Sequence, residues 1–171
     1  VDDAATSCLT PIYCNTQEAP ECLAEGNGSM LDYTASSAFW LFNRVTNFAY
    51  LRYDMISADI RKVVDFWENT MLETVEGIDK KAAALSAKAQ KKYLTQFSNN
   101  MAQEMFSNWS RLDKYLLLKY IDGNVKGEDE NGFMDNGNGK DIPGKIEQPG
   151  YTERWKRAVA NDKGKILRVV K

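Results

Sequence analysis

Histidine is missing from all 171 residues. With it go the imidazole general base, the Ser-His and Cys-His pairs of nucleophilic catalysis, and any mixed Cys/His zinc site. Cysteine is nearly as scarce. Cys8, Cys14 and Cys22 crowd the first stretch of the chain and none follows; their spacing matches no zinc pattern, and an odd count forbids full internal pairing. Buried or half-buried thiols are expected, with one disulfide among them as the alternative. No metal site is expected. Residues 123–145 are rich in Asp, Asn and Gly but offer no frame for a calcium loop.

Neither sign of charge dominates. Lys and Arg number 22 against 24 Asp and Glu, for a net charge of −2, so the chain has no basic footprint for nucleic acid. There is no phosphate-binding glycine loop. Glu73 and Glu76 lie a turn apart on a charged helix face, where solvation accounts for them. The longest apolar run, residues 35–51, is interrupted by Asn43, Arg44 and Asn47 and falls short of the ~20 residues a membrane span needs. It reads as core, and no membrane partner is expected.

What the chain does have is helical periodicity. Across residues 36–78, Ala38, Phe42, Val45, Ala49, Tyr53, Ile56, Ile60, Val63, Trp67, Met71, Val75 and Ile78 recur in steps of three and four, one stripe of a helix. Phe39, Trp40, Leu41, Phe48, Tyr50 and Leu51 make its first half apolar nearly all round, which predicts a buried central helix. Asp59, Arg61, Lys62, Asp65, Glu68 and Glu73 stand opposite the stripe in the second half, which predicts a surface helix. Unbroken, it would reach roughly 65 Å at ~1.5 Å per residue, so a break is expected, after Asn69. Thr34 or Ser36 can cap its start, and Gly77 and Asp79 predict a reversal within residues 76–82. A second stripe, Leu94, Phe97, Met101, Met105, Trp109, Leu112, Leu116 and Tyr120, completes a long antiparallel helical hairpin.

The expected architecture is mainly α, with a few short strands near the two ends. Residues 6–14 have strand-compatible composition limited by Pro11, and residues 165–170 are β-prone after the turn at Asp162, Lys163 and Gly164. A single domain over residues 1–171 follows, divided into a strand and loop segment at 1–30, the hairpin at 34–122, a loop at 123–150, and a short helix and strand at 151–171. Polar groups inside an apolar helix need partners, so Asn43, Arg44 and Asn47 are candidates for a structural polar network, with Arg44 required to reach solvent or meet a carboxylate.

The order of motifs carries a resemblance. VDDAATSCLTPIYC, with its P-x-Y at residues 11–13, precedes Gly28-Ser29. The helix SAFWLFN follows at residues 37–43, then a Y-x-x-M-x-x-D-I-like pattern at residues 53–60 and a closing PGYTERWKR. Together they resemble the C-terminal portion of the cysteine-nucleophile dipeptidases of the N-terminal-nucleophile hydrolase superfamily. The resemblance covers residues 1–65 well and the tail from Pro149 loosely. It implies an αββα sandwich and dipeptide hydrolysis by an N-terminal cysteine whose own amino group is the base, with no cofactor. That nucleophile lies upstream of the matched segment, so no catalytic residue is expected in this chain. Cys8 falls in the P-x-Y segment, not in a nucleophile motif. The expectation is a structural fragment, inactive alone, whose partner is the N-terminal catalytic part of the same protein. A second copy would cover the apolar patch left by that part's absence, making a homo-oligomer. A non-enzymatic helical protein-interaction module is the alternative.

Overall fold

The computed structural model describes residues 3–24 and 31–120. The chain divides into two compact units, Val1–Leu116 and Leu117–Lys171, and of the second only residues 117–120 are described. Three helices follow two short 3-10 turns at Ala4–Thr6 and Glu21–Leu23: α1 is Ala38–Ala49, α2 is Tyr53–Ala83 and α3 is Ala87–Tyr120. None of these helices is long and apolar enough to cross a membrane.

The described residues hold no strand, which corrects the expectation of a hairpin trimmed with short strands from an αββα fold. A strand is held by a neighbouring strand, and residues 7–17 have helices beside them instead. Their backbone groups are satisfied by helix side chains. The Leu9 amide donates to Glu68 Oε1 at 2.9 Å, Trp67 Nε1 donates to the Leu9 carbonyl at 2.8 Å, and the Tyr13 amide donates to Ser98 Oγ at 3.0 Å. The Gln17 amide donates to Thr95 Oγ1 at 3.0 Å. The strand expected at residues 165–170 and the helix near residue 155 lie outside the described residues.

The helix expected over residues 36–78 is two helices, and the break falls at residues 50–52 instead of after Asn69. The amides of Leu51 and Arg52 bond three residues back, to the carbonyls of Phe48 and Ala49 at 3.1 Å each, which closes α1 with a tightened turn. Arg52 then leaves helical space at φ −151°, ψ 64°. The elbow lets both helices pack on the same 3-10 turn at Ala4–Thr6, which one straight rod could not do. It also resets the phase of the stripe: Ile56, Ile60, Val64, Trp67 and Met71 form the buried apolar stripe in the first part of α2, with Tyr53 outside and Val64 in place of Val63.

On α1 the buried residues are Ala38, Leu41, Phe42, Val45, Thr46 and Ala49. Val45, Ala49, Ile56, Ile60 and Val64 are all 0% exposed, and each Val or Ile contributes about 1.5–3 kcal/mol by leaving water. The first helix is not buried all round as its composition suggested. Tyr50 is 53% and Leu51 71% exposed, because no described element covers that side. Asp59, expected on the outer face, is instead 7% exposed and accepts from Lys62 Nζ at 3.1 Å.

Gly77 lies inside α2, and the chain turns at residues 84–86. Asp79 is taken by the Tyr13 hydroxyl at 2.6 Å and does not cap a new helix, while Lys80 and Lys81 sit in the last turn, where the helix dipole favours cations. The N-cap of α1 is Ser37, with Thr34 and Ser36 bonded to one another at 2.9 Å just before it. Beneath α1, Thr6 Oγ1 and Thr46 Oγ1 share a 2.7 Å hydrogen bond at 0% exposure each. Thr46→Val should destabilise the protein by about 1 kcal/mol, read as a fall of several degrees in the calorimetric midpoint; an unchanged midpoint would mean that bond contributes nothing.

Candidate functional site

Polar side chains converge on unit one in two places. The first begins at Arg44, in the middle of apolar α1. Its Nε donates to Asp113 Oδ1 at 2.9 Å, its Nη2 bonds Asp113 Oδ2, and its Nη1 donates to the Tyr33 hydroxyl at 3.2 Å. The guanidinium and carboxylate therefore meet fork to fork, the strongest geometry open to this pair. Asp113 sits with 11% of its side chain exposed and Arg44 with 53%, so the cation forms the outer lip of the pair. Its hydrogen bonds to Asp113, outweighing the effect of burial, push the guanidinium above its ordinary value.

Asn43 and Asn47 turn back on their own helix. Asn43 Nδ2 donates to the Phe39 carbonyl and Asn47 Nδ2 to the Asn43 carbonyl, both at 2.8 Å. Of the three polar residues singled out on α1, Arg44 reaches across to α3. Its partners Asp113 and Tyr33 were not singled out. Asp113 follows Leu112 on the apolar stripe of α3, and an acid beside such a stripe, in a chain with a core arginine, is the signal that could have found it. Tyr33 has no such signal.

Aromatic rings frame this pair. Tyr33 and Trp40 meet edge to face at 5.8 Å, Phe39 and Trp40 at 5.1 Å, and Trp40 Nε1 donates to the Asp32 carbonyl at 2.8 Å. Beneath them Phe42 stacks on Trp109 at 4.6 Å with 13° between planes. This edge-on and stacked packing fixes the face of α1 that presents Arg44.

The second place is the thiol-bearing segment. All three cysteines are free; Cys8 is half-buried, Cys14 exposed and Cys22 buried. Burial pushes the Cys8 thiol up to about 12; the Thr10 hydroxyl opposes this more weakly and the Glu68 carboxylate reinforces it. Burial also raises Cys22, whose Sγ donates to the Ala102 carbonyl at 3.5 Å. Tyr13 is pushed up to about 12 by burial first, then by its hydrogen bond to Asp79. A thiol in that range carries almost no thiolate at neutral pH, and the thiolate is the nucleophile. These groups are built to hold structure. No cluster of metal-binding side chains occurs among the described residues.

The Cys8 shift has two measurable results. At pH 8, alkylation of native protein should label Cys14 readily and leave Cys8 and Cys22 largely unmodified until denaturant is added, as peptide mass mapping would read. Because the folded pKa lies above the ordinary 9.0, the unfolded thiol ionises first as pH rises. The stability from burying the neutral thiol is therefore full below pH 9 and is lost between pH 9 and about 12. Urea midpoints at pH 8 and pH 10.5 should fall in that order, with a smaller difference in Cys8→Ala.

Residues 1–66 match peptidase family C69. The similarity is to a family of peptidases, and it takes in the segment at residues 3–24, all of α1, the elbow and the first part of α2. Arg44 lies inside the matched region and Asp113 outside it. No curated protein and no solved structure matches the chain.

Proposed function

We propose that the chain is the helical framework of a C69-type dipeptidase, whose nucleophilic cysteine is supplied from outside residues 1–171. The observation that carries this reading is the match of residues 1–66 to peptidase family C69. It is supported by the ordered motifs at residues 11–13, 28–29, 37–43 and 53–60, which resemble N-terminal-nucleophile dipeptidases. The thiol chemistry agrees with it. Cys8 and Cys22 are raised by burial, and the sequence holds no histidine to activate Cys14. An enzyme that uses the α-amino group of its own first cysteine needs no histidine.

In this reading the work of the chain is mechanical. The Arg44–Asp113 pair and the Phe42–Trp109 stack clamp α1 to α3. The tethers at Leu9, Tyr13 and Gln17 fix the first segment on α2 and α3. The helices thereby give the part that carries the nucleophile a fixed surface to rest on. The test is intact mass, N-terminal sequencing and dipeptide hydrolysis of the product of the full native gene. A product that starts with cysteine, extends through residues 1–171 and cleaves dipeptides is expected; a product that starts near Val1, folds and is inert would overturn the reading.

A further inference from the structure

The tip where α2 turns into α3 carries charge of one sign. Over residues 79–93 the lysines Lys80, Lys81, Lys88, Lys91 and Lys92 face a single acid, Asp79, in a chain whose net charge is −2. All five lysines are exposed, and none makes an ion pair among the described residues. Asp79 is already taken by the Tyr13 hydroxyl. Lys88 stands three and four residues before Lys91 and Lys92, so like charges lie side by side on α3, an arrangement that costs stability. No acid occupies the first turn of that helix, where the dipole favours one. A solvated helix face ordinarily mixes the two signs.

The tip is also bare and held in shape. Of residues 79–89 Ala82 alone is buried. The last tethers of the first segment, Tyr13 on Asp79 and Gln17 on Thr95, lie at its base. Glu18 and Glu76 are the nearest acids in sequence to those tethers, and neither makes an ion pair with these lysines. Across the turn, Gln90 Nε2 donates to the Ala82 carbonyl at 3.2 Å and the Leu85 amide donates to the same carbonyl at 3.1 Å. Leu85, 40% exposed, therefore sits at a fixed apex with exposed Ala83, Ala84 and Ala87 around it.

We propose that this tip rests on an anionic lipid surface, with the lysines against lipid phosphates and Leu85 in the headgroup layer. Charge complementarity selects an anion, and composition selects which. A specific protein contact is rich in aromatics and arginine and poor in lysine. Nucleic acid is read by arginine or stacked on exposed rings. Residues 79–92 hold neither arginine nor an aromatic residue. Lysines around a small apolar apex are the pattern of a segment seated on a membrane surface, where each added lysine strengthens the attraction. No described helix is long and apolar enough to cross a membrane, and a surface contact requires none to. The proposal stands independently of the dipeptidase reading.

The test is sedimentation of the full-length native gene product with vesicles of phosphatidylcholine and phosphatidylglycerol, three to one. The protein should sediment with them, ignore pure phosphatidylcholine, and be released as NaCl rises from about 50 to about 500 mM. Lys91→Gln/Lys92→Gln should weaken binding about tenfold, and Leu85→Ser severalfold. Arg111→Gln/Lys114→Gln, the same change of charge further along α3, should bind as wild type does. These side chains are exposed or half-buried, so folding is not at stake. No sedimentation with the anionic vesicles overturns the proposal. Equal losses in the two double variants, or binding that the tip variants leave unmoved, overturn it too, the latter placing the contact on another basic stretch such as residues 154–171. Unchanged binding of Leu85→Ser, or retention of duplex DNA in place of vesicles, overturns the lipid assignment.

Discussion

Trp109→Ala should be the most damaging single substitution in the first unit, with a loss of about 3–5 kcal/mol. Trp109 is 1% exposed and the largest of the fully buried side chains, and its ring lies flat against Phe42. Truncation empties the contact that joins α1 to α3 and leaves one face of Phe42 without atoms to touch. A second substitution isolates what the ring does. The indole Nε1 has no hydrogen-bond partner, so Trp109→Phe keeps most of the stacking and removes a buried donor that nothing satisfies. Its cost should be well below half that of Ala. Urea unfolding of the two variants against wild type gives the comparison; equal losses would mean that the stack a phenyl ring keeps on Phe42 contributes nothing.

The second large effect belongs to the pair that closes α1 on α3. Arg44→Met should cost about 2 kcal/mol, because it strands the Asp113 carboxylate, 11% exposed, without its cation. That is less than the ~3–5 kcal/mol of a fully buried broken pair, since Arg44 is half in water and screening reduces its share. Asp113→Asn removes the charge but leaves an amide oxygen for Arg44 Nε, and should cost nearer 1 kcal/mol. The double variant Arg44→Met/Asp113→Leu should recover part of the loss, as replacing both ions by apolar groups does elsewhere. A double-mutant cycle by urea unfolding reads the coupling directly. Simple additivity would show that the two groups do not act as a pair.

Helix content was legible wherever a stripe held its phase. The residues of α3 from Leu94 to Leu116 are buried as their spacing implied, apart from Met101, which is half-buried. The elbow was not legible, since residues 50–52 contain neither proline nor glycine and Tyr53 continues the three-four rhythm. The break is decided by where the Ala4–Thr6 turn sits, which is tertiary information. The strand expected near residues 6–14 failed for a related reason: composition can show that a segment prefers extended backbone, but not whether a strand or a helix lies beside it. In the candidate site, Arg44 announced itself as a charge in an apolar helix. The exposure of Tyr50, Leu51 and Tyr53 was not legible, because they look like core until the break turns them outward.

The way residues 7–17 are fastened has a consequence for what substitutions and deletions they tolerate. Backbone groups of Leu9 and Tyr13, and the Tyr13 hydroxyl, are received by Glu68, Trp67, Ser98 and Asp79. The four residue steps from Leu9 to Tyr13 span at most ~13 Å, against about 16 Å along α2 between Glu68 and Asp79 at ~1.5 Å per residue. The reach of the tyrosine ring makes up the difference. Residues between the anchors can therefore be exchanged at less cost than they can be removed, since losing even one of them pulls every later anchor off its turn of helix. In this strap it is the count of residues, more than their identity, that is constrained.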